Sequence, residues 1–150
     1  MDITTASPTQ QSRPRDPRSF VAPEVWERQI QLLVRDHPFD AVTAERMFGQ
    51  AIAYLITAME TWGQNLEIGC GPLVDTAVHG FILDTRNYTA FCDRYFGGFL
   101  HHVPAVEFKH DGTVRRTAEV VEDAGFAIDW PLWEADFAKC SPCHPGSNCH

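Results

Sequence analysis

Across residues 41–62 the chain keeps one apolar stripe running for about six helical turns, and no other stretch constrains the fold as much. Phe48, Ile52, Leu55, Ile56, Met59 and Trp62 recur three and four residues apart, which puts them on one side of an α-helix. Gly63 follows as a natural stop. A helix of this length is stable only when other apolar surfaces cover its stripe, so the rest of the chain has to supply partners.

It supplies them at helical spacing. Pro23 suits a first helical turn, and Trp26, Ile30 and Leu33 then repeat until His37-Pro38 ends the pattern. Past the polar Gln64-Asn65 and the turn Gly69-Cys70-Gly71, Pro72 starts a third helix with Leu73, Ala77, Phe81 and Ile82 on one side. A fourth, residues 85–96, carries Tyr88, Phe91, Cys92 and Tyr95 and is ended by Gly97-Gly98. Residues 105–112 read as a short extended piece closed by Asp111-Gly112, with no evident partner strand. Residues 113–124 read as a fifth helix capped by Gly125, and 130–137 as a short final turn begun by Asp129 and Pro131. The expected fold is all-α, a compact bundle of about five helices in a domain spanning residues 22–138. At 150 residues and 44% apolar content, the chain has material for one such core. Residues 1–21, polar and broken by Pro8, Pro14 and Pro17, are expected to be a disordered leader. Residues 139–150 form an irregular tail of Cys, Ser, Pro, His, Gly and Asn.

Charge narrows the partners. The formal charge is −8; the first twenty residues carry three arginines against two aspartates, which leaves −9 on the remainder. An acidic body repels phosphate backbones and anionic lipid, so neither nucleic acid nor a membrane is expected as a partner. No apolar run is long enough to span a bilayer, and residues 1–20 lack the apolar segment of a signal peptide. A cytoplasmic location is the expectation.

Two constellations could carry chemistry. Three of the five cysteines fall in the last eleven residues, where Cys140, Cys143, His144, Cys149 and His150 supply five candidate ligands with nothing apolar around them. Two thiolates in a Cys-x-x-Cys pair can bite one ion, and a later Cys or His completes a tetrahedron, so zinc or another transition metal is the implied cofactor. Cys140-Ser-Pro-Cys143-His144 also spells a haem-attachment motif, but that chemistry normally follows export, and no covalent haem is expected. An odd cysteine count in a reducing compartment argues against a disulfide framework. The second constellation is internal. Asp75 and His79 are one turn apart on the third helix, so a carboxylate stands beside an imidazole. If helices three and four fold back on each other, Cys92, His101 and His102 can join that pair. The bland alternative is a solvated surface pair, a small buried thiol and two loop histidines.

Val74-Asp75, Val78-His79, Ile82-Leu83, Thr85, Tyr88, Phe91-Cys92, His101-His102 and Pro104 together resemble the bacterial members of the glycine-rich domain-containing protein-like family. Val78 stands where that pattern has Trp. The resemblance implies a helical fold and singles out Asp75, His79, Tyr88, Cys92, His101 and His102; it implies no reaction. Three functions stay open: a small zinc-binding protein, a metal-dependent enzyme built on the internal residues, and an interaction or scaffold protein whose tail is modified by, or handed to, a protein partner.

Overall fold

The computed structural model describes residues 13–107 and 111–139. Six helices carry the fold: α1 (Pro23–Asp36), α2 (Ala41–Glu60), α3 (Pro72–Leu83), α4 (Thr85–Phe96), α5 (Thr113–Asp123) and α6 (Trp130–Lys139), preceded by a 3-10 turn at Pro17–Phe20. No strand occurs among the described residues, so the expected all-α architecture stands. No helix among them is long and apolar enough to cross a membrane. The final short turn proves to be a ten-residue helix.

Most helix ends follow from side-chain chemistry. Asp40 caps α2 by accepting the Thr43 N–H at 2.7 Å. Asp129 accepts the Leu132 N–H at 3.3 Å in the same way at the start of α6. Proline opens α1 and α3, where its missing N–H costs nothing. At the end of α5, Gly125 takes φ +103° while its N–H donates to Glu122 O and the Phe126 N–H to Val121 O. This paired return satisfies carbonyls the helix would otherwise orphan, and it brings buried Phe126 over buried Val121.

α2 is buried far beyond one stripe. Met47 to Thr57 are buried without interruption, because α1, α3, α4, α5 and the 3-10 turn all pack against this helix. Small residues let the neighbours approach: the Trp26 ring lies 3.5 Å from where a β-carbon on Gly49 would stand. Phe48 then meets Trp26 on one side and Phe81 of α3 on the other, with ring centroids 5.0 and 5.4 Å away.

The leader expected to be disordered over residues 1–21 is structured within its described part, residues 13–21. Arg15 forms a two-pronged bond to Glu60 of α2, at 2.7 and 3.0 Å, and donates to Ala124 O. Its guanidinium covers the Phe126 ring at 4.6 Å, and Phe20 packs edge-on against Tyr95. Composition alone points to disorder here, since few residues are apolar. One arginine in a bidentate, stacked position and one phenylalanine are enough to dock so short a segment.

Candidate metal centre

α3 sets two ligands by spacing alone. Asp75 lies in its first turn and His79 one turn later, with His79 Nε2 3.3 Å from Asp75 Oδ2. The third comes from the loop after α4. Gly97, at φ +71°, turns the chain out of α4, and residues 99–103 follow without regular secondary structure. Burial alternates along them: Leu100 and His102 turn inward while Phe99, His101 and Val103 are exposed. The buried Tyr88 hydroxyl fixes this register by donating to Leu100 O at 2.6 Å.

His102 Nε2 therefore arrives 2.9 Å from Asp75 Oδ1 and 3.1 Å from His79 Nε2. The Asp75 and His102 side chains are only 13% and 15% exposed, against 43% for His79. One carboxylate and two imidazole nitrogens thus converge on one point. Their proton inventory is awkward: a single N–H on His102 Nε2 can serve the carboxylate or the other ring, but not both well. An ion suits the same geometry. Nitrogen and oxygen donors at about 2.0–2.1 Å from a tetrahedral ion stand roughly 3.3 Å apart, close to the spacings here. This group of three could hold a metal ion.

A cleft of about 570 Å³ opens beside it, with Asp75 and His102 in its wall. Cys70 and Tyr54 stand at the same end. The Cys70 thiol lies 3.8 Å from Asp75 Oδ1. Burial pushes the Tyr54 phenol well above the usual tyrosine range, helped by the neighbouring Cys70 and Asp75, so it stays a protonated donor.

Of the internal candidates, Asp75, His79 and His102 are brought together, and Cys92 and His101 are not part of the group. Cys92 is fully buried beside Tyr88, whose phenol is pushed up by burial and by that thiol. His101 lines the cleft but turns its ring toward Phe99, 5.0 Å away. Tyr88 acts on the loop backbone. The tail candidates Cys140, Cys143, His144, Cys149 and His150 lie outside the described residues. The sequence reading missed Cys70 and Tyr54: it placed Cys70 in a tight turn and did not single out Tyr54. The only available signal was Cys70 lying five residues before Asp75 at the helix start.

No curated protein and no solved structure matches the chain. The resemblance to the glycine-rich domain-containing protein-like family is overturned by a longer match. It rested on about thirty residues within 74–104, a helix–loop–histidine pattern with one departure at Val78, and that segment falls inside a match of residues 26–121 to a different, uncharacterised family. More than half of the chain is covered, and the protein belongs to the family described as UCP032817-like.

Proposed function

We propose that the protein binds one transition-metal ion at Asp75, His79 and His102, with zinc the default ion. The observation that carries this is the convergence of the two Nε2 atoms and the Asp75 carboxylate within 2.9–3.3 Å of one another. Nitrogen and oxygen donors of this kind suit zinc, ferrous iron and manganese alike. Zinc is preferred because it accepts a tetrahedron without strain from its d-electrons. Three protein ligands leave one position for water or a ligand, the arrangement of catalytic rather than structural zinc. The adjoining cleft gives such a position access from outside, which favours a centre that acts on a small molecule.

Elemental analysis of the untagged full chain tests this. We expect about one equivalent of metal in the wild type and in a C140S/C143S/C149S variant, and none in folded His79→Ala or His102→Ala. Metal retained in both histidine variants but lost from the cysteine variant would move the site to the tail and end the proposal.

A further inference from the structure

The lining of the cleft beside the centre is of two kinds: Asp75, His102, Tyr54 and Cys70 supply polar groups, and Leu55, Ala58, Trp62, Leu66, Leu100 and Val103 apolar ones. Three of the apolar residues are unusually exposed for their type, Trp62 at 68%, Leu66 at 45% and Val103 at 87%. All three line the same cleft, so an apolar body laid across them removes hydrocarbon from water on both sides. The volume lies within the range of small-molecule sites.

Charge selects the head group. Among the described residues no lysine or arginine lines the cleft, so beside its histidines a divalent ion would be the main source of positive charge. Asp75 cancels one unit, and the single charge left over matches a monoanion. A phosphate ester would bring a second negative charge with nothing to meet it, against a chain that is already −8. A carboxylate offers one oxygen to the ion and a second to a neutral donor such as the Tyr54 hydroxyl.

We infer, resting on the metal reading above, that the cleft binds a small monocarboxylic acid with its head on the ion and its apolar chain along the Trp62–Leu66–Val103 wall.

Cobalt(II) separates this inference from the reading beneath it. The full chain carrying C140S, C143S and C149S is loaded with cobalt, so that its visible spectrum reports the triad, and titrated with acetate, butanoate, hexanoate, octanoate and methyl octanoate. We expect every acid to shift the cobalt band, with affinity rising up to about fourfold per added methylene. The ester should leave the band unmoved. Leu66→Asn, at an exposed rim position, should flatten the chain-length dependence and leave acetate binding as it was. Equal affinity along the series, or an ester that binds like octanoate, overturns the inference while the cobalt spectrum keeps the metal site. No cobalt spectrum at all overturns both.

Discussion

Gln50 on α2 and Asp75 on α3 are both polar side chains set into the helical core, and the fold surrounds them in opposite ways. Gln50 is 7% exposed and both polar atoms of its amide are partnered: Oε1 accepts from the Asp129 N–H at 3.1 Å and the Trp133 indole at 2.8 Å, and Nε2 donates to Ala127 O at 3.3 Å. One residue thereby fixes the start of α6 against the centre of the bundle. Asp75 faces two imidazoles and a thiol, groups that compete for few protons and share an appetite for a cation. A polar cluster whose donors and acceptors balance serves stability. One whose acceptors outnumber its fixed donors is suited to chemistry.

Four experiments break or sharpen that contrast. The largest effect should come from His102→Ala, which should weaken metal binding by more than the roughly 10–100-fold that losing a merely supporting residue costs. In chelator competition and urea unfolding, the metal-free variant should stay within about 1 kcal/mol of wild type, as expected for a cluster whose hydrogen bonds are poorly matched. A large loss of metal-free stability would make the triad a structural knot and erase the contrast.

Gln50→Leu should do the reverse. It strands the buried Trp133 indole N–H, at about 1–3 kcal/mol for a buried donor left unmet, and the part-buried Asp129 N–H at less, so the free energy of unfolding in urea should fall by roughly 2–4 kcal/mol with metal affinity unchanged. Arg15→Ala comes next, at about 1–2 kcal/mol, since it removes a bidentate ion pair and the cover over Phe126. Protease sensitivity near residue 15 should rise with it; an unchanged cleavage pattern would mean that the segment is not docked through this side chain.

The smallest effect is a pH dependence. The Arg46 guanidinium, bonded to Asp129 at 2.7 and 2.9 Å, holds that carboxyl below the usual carboxylate range. A pKa depressed by folding adds stability above the unfolded value, about 3.9, and the gain is lost as pH falls through the folded value. Asp129→Asn should therefore be less stable than wild type at pH 6, with the gap closing below about pH 4. A gap that stays constant with pH would show that the cap, and not the charge, is what matters.

Parts of this arrangement are legible in sequence, and the dividing line is physical. The stripe on α2, the proline starts, Asp129 as a cap and Gly125 as a stop are all local, because a helix writes its partners three and four residues away. The Asp75–His79 pair is legible for the same reason. Choosing His102 over its neighbour His101 is not, since the two have the same side chain and differ only in which of them the fold turns inward. Which of them turns inward depends on Leu100, pinned by a tyrosine twelve residues earlier. Cys70 and Tyr54 come to Asp75 from a loop and from another helix, and no spacing links them to it.

The amino-acid sequence by itself determined an all-α chain, the approximate bounds of its helices, an acidic composition and two of the three residues of the candidate metal site, all of which are written within a few residues of one another. The tertiary structure alone decided that α2 is buried on every side from Met47 to Thr57, that residues 13–21 dock, and that His102 joins Asp75 and His79. Each of these depends on surfaces far apart in the chain, brought together by packing whose specificity lies in side-chain shape and in matched hydrogen bonds rather than in periodicity.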